Sequence, residues 1–262
     1  KSTRIPQDSP HPHNRNLPGD GKFDNNGTPS MVELAVGRID LAEMSQLGKT
    51  EVELLRNYLD KNHAFRQGRL TAREKGLIDI DVAYKNRRTN MKIFLEGDLG
   101  ANAFNNFSAL FGHTNVEASN KNGADFFGSS VAALGGQSYL FGYGAGAGLS
   151  YRAGQLFNGR TAATPARCQS NSANSPFAYT CDFADYDPQV VFTALYGSYF
   201  GDWMLKNSLL RAPLGGETYG LACLWGHIGS GQDGWFFHGL GAGETLGDCL
   251  LLSQNNRSTY RS

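Results

Sequence analysis

The sequence lacks several features that would assign it to a class at once. It has no excess of either charge: 24 Lys and Arg balance 24 Asp and Glu in 262 residues. No basic face is implied, so nucleic acid is not an expected partner. No run of 18 apolar residues occurs, so no membrane-spanning helix is expected. The glycine-rich run Gly144-Ala-Gly-Ala-Gly148 has neither the third glycine of a dinucleotide fingerprint nor a Lys-Ser/Thr after it. Neither common phosphate-binding motif is therefore present. The chain opens at Lys1 on a polar stretch with no apolar leader, as expected of a mature chain or a fragment.

Glycine, by contrast, is abundant at 33 residues, clustered at 135–148 and 226–247 without a fixed period. That distribution is loop chemistry and not a fibrous repeat. The length suffices for one large α/β domain. Residues 1–30 read as an irregular N-terminal segment, because Pro6, Pro10, Pro12, Pro18 and Pro29 interrupt any helix. Within it, Asp20 and Asp24 lie in Asp-Gly-Lys-Phe-Asp-Asn-Asn-Gly. A solvated turn is the simpler reading, since the spacing is not that of an EF-hand. A calcium loop is the alternative, and calcium is the only cofactor expected.

Residues 31–254 read as a single domain with a long insertion at 150–188, followed by a polar tail at 255–262. Met31 to Leu41 has the β-branched, alternating character of a strand. Thr50-Glu-Val-Glu53 is a capping box and predicts a helix to Arg66, with Val52, Leu55, Leu59 and Asn62 on one face. Strands are expected at 76–82, 107–111, 138–143, 190–197 and 220–225. Helices are expected around 91–99, 126–134, 202–210 and 244–254. Strands alternating with helices predict a mainly parallel, doubly wound sheet. Such a sheet carries its site at the C-terminal ends of its strands.

The stretch Gln189 to Trp203 is the centre of this expectation. An apolar run after Pro188 ends in Gly197-Ser198, small enough for a tight turn. Ser198 is where a nucleophile would sit. His227 ends the run at 220–225, and Asp202 is placed to orient it, which would give a Ser-His-Asp set. The bland alternative is that Ser198 is small because the turn is tight, with His227 a loop residue. His113 is expected near an edge of the sheet. His238, among Trp235, Phe236 and Phe237, is expected to be packed. The aromatics Tyr143, Tyr199, Phe200, Trp203, Trp225 and Trp235 gather near the same end, as a binding surface or as core.

Cys168 and Cys181 bracket a polar loop rich in Ser and Asn, the setting of a local disulfide. Cys223 and Cys249 lie in apolar runs, where two buried free thiols and a second bridge are equally compatible. Asn26, Asn106 and Asn256 each begin an N-x-S/T triplet.

The order of elements resembles the gingipain-type cysteine peptidases, whose catalytic domain has a caspase-like fold. Val36-Gly-Arg-Ile39 followed by the helix Glu51 to Arg66 is similar to the entrance of that domain. The strand at 138–143 with its glycine loop resembles the strand that bears the family's His-Gly. The strand at 190–197 with Gly201-Asp202-Trp203 resembles the one that bears its cysteine. The resemblance implies adjacent, parallel 138–143 and 190–197 strands. This chain has Gly144-Ala145-Gly146 at the His-Gly position, so Ala145 and Gly146 mark a lost base. It has Ser198, or Gly197 with a one-residue slip, at the cysteine position. The expected function is accordingly a secreted, gingipain-like domain with a degenerate peptidase site, acting as an extracellular surface, matrix or assembly protein. Its partners would be further copies of itself or other extracellular proteins. An active hydrolase using Ser198, His227 and Asp202 is the alternative.

Overall fold

Thr50 opens the first helix by the expected means. Its side chain accepts from the Glu53 N–H, and the Glu53 carboxylate accepts from the Thr50 N–H at 2.8 Å. The capping box satisfies donors that the first turn cannot pair internally. The helix, α1, runs Glu51–Arg66. The computed structural model describes residues 31–80, 100–119, 127–145, 180–196, 206–226 and 237–255.

Five strands follow in the described residues: β1 Gly76–Ile80, β2 Val116–Ser119, β3 Tyr139–Ala145, β4 Val190–Tyr196 and β5 Ala222–Gly226. They form one sheet in the order β2-β1-β3-β4-β5, and each pairing is parallel. The chain winds outward from β1 to β2 and then crosses back over β1 to β3. The direction of winding therefore reverses between β1 and β3, the topological switch point of such a sheet. The α/β class and the parallel sheet agree with expectation, as does the adjacency of β3 and β4.

Helices cover both faces. Leu54 and Tyr58 of α1 belong to one cluster with Leu77 of β1 and Leu195 of β4. On the other face, Phe104 and Phe107 of α2 (Gly100–Phe111) and Leu246 of α4 (Leu246–Asn255) pack with Ile78, Phe141, Tyr143 and Ala194. A third short helix, α3, spans Asp182–Asp185 ahead of β4. Neighbours in sequence such as Leu77 and Ile78 are buried on opposite sides, the mark of a strand covered twice. Gly142 shows how close this packing is: a Cβ there would lie 2.7 Å from Val190 Cγ1.

Several expected elements are different. Residues 107–111 are the last turns of α2 and not a strand. Phe104, Phe107 and Phe111 recur at helical spacing and meet one side of the sheet, and the apolar run alone could not separate the two periods. The missing edge strand is β2, whose Val-Glu-Ala-Ser is short and half polar. Residues 31–40, expected as a strand, form none and pair with neither edge of the sheet. Helix α1 buries Leu54, Tyr58 and Lys61, leaving Val52, Leu55 and Leu59 at 63%, 40% and 52% exposure. The apolar stripe of Val52, Leu55 and Leu59 thus faces outward. The expected helix at 126–134 is two 3₁₀ turns, Gly128–Ser130 and Ala132–Leu134, the second ending at Gly135 with φ 75°. Of the helix expected at 202–210, the described part from 206 is a series of turns. Residues 81–99, which include the helix expected at 91–99, lie outside the described residues.

Candidate functional site

The C-terminal rim of the sheet is where an open α/β fold puts its chemistry. The last rung across four strands is Ile80, Ala145, Tyr196 and Gly226, each in register with the next. One rung earlier, Asp79 of β1 stands in register with Gly144 of β3 and with Ser119 of β2. Asp79 therefore occupies the β1/β3 switch point. The sequence reading passed over it, although the Ile78-Asp-Ile-Asp81 alternation at the end of a strand was a usable signal.

Ala145 is the last residue of β3 and stands opposite Tyr196 of β4. Gly146 follows it and lies outside the described residues, as do Ser198, Asp202 and His227. Ser198 comes two residues after Tyr196, and His227 comes one residue after Gly226. Tyr196 and Gly226 are themselves register partners on adjacent strands. β4 and β5 thus end side by side, about 4.8 Å apart. Of the six aromatics expected near this rim, Tyr143 is fully buried in the core. Trp225 lies within β5, and Tyr199, Phe200, Trp203 and Trp235 lie outside the described residues.

Two histidines of the sequence reading are visible. His113 precedes the edge strand β2, at the N-terminal rim of the sheet, and meets Phe104 edge-on at 4.8 Å. His238 is exposed rather than packed, because the 3₁₀ turn His238–Ala242 buries Gly239 and turns its first residue outward.

The cysteines separate into two kinds. Cys181 is fully buried and disulfide-bonded. Cys168, its expected partner, lies outside the described residues. Cys223 and Cys249 are free, so the bridge considered between them is absent. Cys223 is on β5 and Cys249 on α4, and burial pushes both thiols up. Neither is poised as a thiolate. Asn106 of the second N-x-S/T triplet sits in α2, where its Oδ1 accepts from the Phe237 N–H at 2.7 Å. A side chain so engaged is a poor glycan acceptor. Asn26 and Asn256 lie outside the described residues, as do Asp20 and Asp24 of the calcium alternative. Among the described residues no group of three or more His, Cys, Asp or Glu could hold a metal. No helix among them is long and apolar enough to cross a membrane.

Charge is concentrated at the opposite, N-terminal rim. Glu117 of β2 accepts from the Tyr139 hydroxyl of β3 and from Lys75 Nζ at 3.0 Å. Arg73 lies over the Tyr139 ring at 4.7 Å and donates from Nε to the Ser138 carbonyl at 3.0 Å. Burial raises the Tyr139 hydroxyl, and Glu117 raises it further, to about 12. Burial also works against the Glu117 carboxylate, but the bonds from Tyr139 and Lys75 outweigh it and hold Glu117 below its ordinary value. Nearby, Lys61 of α1 is buried and donates to the carbonyls of Leu214, Gly216 and Tyr219 at 2.9, 2.7 and 2.6 Å. Three carbonyls match the three ammonium hydrogens. Arg211 likewise donates to the Ala42 carbonyl at 2.8 Å and to Asp40 Oδ1 at 3.2 Å. The Glu117 group ties strand entries to one another, and Lys61 holds the turn that leads into β5.

No family model, curated protein or solved structure matches this chain.

Proposed function

We propose that the chain is a secreted, gingipain-like, caspase-fold domain that has lost the cysteine-peptidase dyad and acts by binding or assembly. One observation carries the reading. β3 and β4 lie side by side and parallel, and the position of the family's base is Ala145 at their shared end. A methyl group cannot take a proton. The two free cysteines add support, since burial raises both thiols and neither stands on the last rung. The disulfide at Cys181 favours an oxidising, extracellular setting. The test is labelling of the folded chain with a thiol-directed peptidase probe. No labelled cysteine is expected; a labelled cysteine that the free substrate protects would overturn the reading.

A second reading has an observation of its own. The Tyr196–Gly226 register brings the chain toward Ser198 and His227 from adjacent strand ends. A hydroxyl nucleophile needs a base within hydrogen-bond reach. If a fluorophosphonate labels Ser198, and His227→Ala or Asp202→Asn removes the labelling, the domain is a serine hydrolase and the binding reading falls.

A further inference from the structure

Helix α1 shows solvent a stripe that a folded chain has reason to cover. Val52, Leu55 and Leu59 recur at helical spacing, and all three are exposed. Together they form an apolar patch about 11 Å long. The helix cannot roll to bury it. Its opposite side carries Leu54 in the core, the Tyr58 bond to the Leu221 carbonyl and the three Lys61 bonds. Charge is ordered along the same helix. Glu51 and Glu53 stand in the first turn, His63 and Arg66 in the last. At about 100° per residue, Arg56, Asp60 and His63 border the stripe on one side and Glu51 on the other, while Arg66 continues its line. All five are exposed. Glu51, Arg56, Asp60 and Arg66 make no ion pair among the described residues.

We infer that this face of α1 is the contact of a homodimer, in which two copies of the helix pack antiparallel about a two-fold axis beside Leu59. The charges single out a second copy as the occupant. The two-fold sets each flank of the stripe against the same flank of the partner. Glu51 then comes level with the partner's Arg66, Arg56 with the partner's Asp60 and Glu53 with the partner's His63, each to within about one 1.5 Å residue rise. Every pair joins opposite signs, and each occurs twice. Leu59 meets its own copy, Leu55 reaches the same cluster from one turn away, and Val52 lies on the aliphatic stem of the partner's Arg66. A parallel pair would instead set Glu51 and Arg66 each against its own copy. A lipid surface would call for a cationic border, and this stripe is bordered by both signs. The contact is independent of any chemistry at the C-terminal rim.

Charge reversal tests both the contact and its direction. Sedimentation of the full chain over a wide concentration range should show a monomer–dimer equilibrium. Leu59→Glu sets two carboxylates together at the axis and should weaken the dimer at least about tenfold. Arg56→Glu and Asp60→Arg each set like charges together at two places, and each should weaken it by on the order of tenfold. The double variant Arg56→Glu/Asp60→Arg restores opposite signs and should recover wild-type association. A chain that stays monomeric at the highest concentration overturns the inference. So do single variants that dimerise like wild type, or a double variant that does not recover. The urea midpoint of Leu59→Glu, measured where both chains are monomeric, should match that of wild type. A clearly lower midpoint would show that the chain's own residues cover the stripe, and would equally overturn the dimer.

Discussion

At the N-terminal ends of the strands the chain is tied by charge: Arg73, Lys75, Glu117 and Tyr139 across β1, β2 and β3, and Lys61 around the turn that leads into β5. At the C-terminal ends the last rung is Ile80, Ala145, Tyr196 and Gly226, with Asp79 one step back. The comparison separates two uses of polar groups. Glu117, Lys75, Tyr139 and Arg73 bond between strand entries and Lys61 holds the turn before β5, which is the arrangement of a structural clasp. At the C-terminal rim β3 ends in the small residues Gly144 and Ala145. Substitutions at the first rim should therefore alter stability, and a function of the second rim should survive them whenever the fold does.

The largest expected effect is at Gly220, inside the turn that Lys61 clasps. Its φ is +83°, and a Cβ would lie 1.8 Å from the Pro213 carbonyl oxygen. Gly220→Ala should cost at least about 3 kcal/mol, read as a lower urea midpoint. Gly37→Ala is the control, since its Cβ meets nothing within 4 Å. It should change stability by no more than about 0.5 kcal/mol. Equal costs at the two positions would show that the turn before β5 is not held as tightly as its geometry indicates.

Lys61 gives the next effect, and its sign depends on pH. Burial brings its ammonium down to about 7 from an ordinary 10.5; Asp187 and Glu217 oppose this and Lys49 adds to it. Between those values the unfolded chain binds more protons at this group than the folded chain does. Stability from Lys61 therefore rises with pH across that window, by up to a few kcal/mol, and is flat below it. The two free thiols act oppositely above their ordinary range, since burial raises them. The measurement is thus a difference: denaturation of wild type and Lys61→Met between pH 6 and 10. The slope present in wild type should be missing in the variant. No Lys61-dependent slope would mean that the three carbonyls hold the ammonium at its ordinary value.

How much of this was legible follows the same division. The capping box at Thr50 and Glu53 is a local signal and fixed the start of α1 correctly. The buried strands β1, β3, β4 and β5 were readable as apolar runs, because both of their faces are covered. The face that α1 buries was not readable. Tyr58 donates to the Leu221 carbonyl at 2.9 Å and Lys61 to three more carbonyls, so a polar clasp, and not the apolar stripe of Val52, Leu55 and Leu59, decides its orientation. Nor could Phe107 to Phe111 be assigned without knowing that the sheet already had its strands. At the C-terminal rim, Ala145 is the last residue of β3 and stands opposite Tyr196 of β4, where the sequence pointed to a loop beyond residue 143. Asp79 was overlooked because a lone acid has no sequence signature until a sheet puts it at the switch point.

A smaller effect is expected at Tyr139. Tyr139→Phe removes the hydroxyl bond to Glu117 but leaves Lys75 at 3.0 Å. A partly exposed carboxylate that keeps a cation loses little, so the cost should be about 1 kcal/mol by urea denaturation. The pH dependence has a defined sign as well. Glu117 is held below its ordinary value, so its contribution is present above the carboxylate range and lost as the pH falls through its folded value. Tyr139→Phe should reduce that acid sensitivity. A loss well above about 2 kcal/mol would make the network cooperative beyond its separate bonds.

The smallest expected effect is none at all, and it bears directly on the C-terminal rim. Cys223 lies on β5 opposite Thr193, three residues before the last rung at Gly226. It is a free thiol close in sequence to the C-terminal rim, where an open parallel sheet places its site. A nucleophilic cysteine there would be an exposed thiolate beside a base. Cys223 instead packs against the core cluster of Leu54, Leu77 and Leu195, and burial pushes its thiol up. Cys249, on the opposite face, is fully buried and also raised. Iodoacetamide at pH 7 should therefore leave both unmodified in the folded chain over times that alkylate them fully in urea, with mass spectrometry reading each site. Binding by the C-terminal rim, whatever its ligand, should be unchanged by the treatment. Rapid alkylation of Cys223 in the folded chain, faster than that of a free thiol at the same pH, would place an activated nucleophile on β5 and erase the contrast between the two rims.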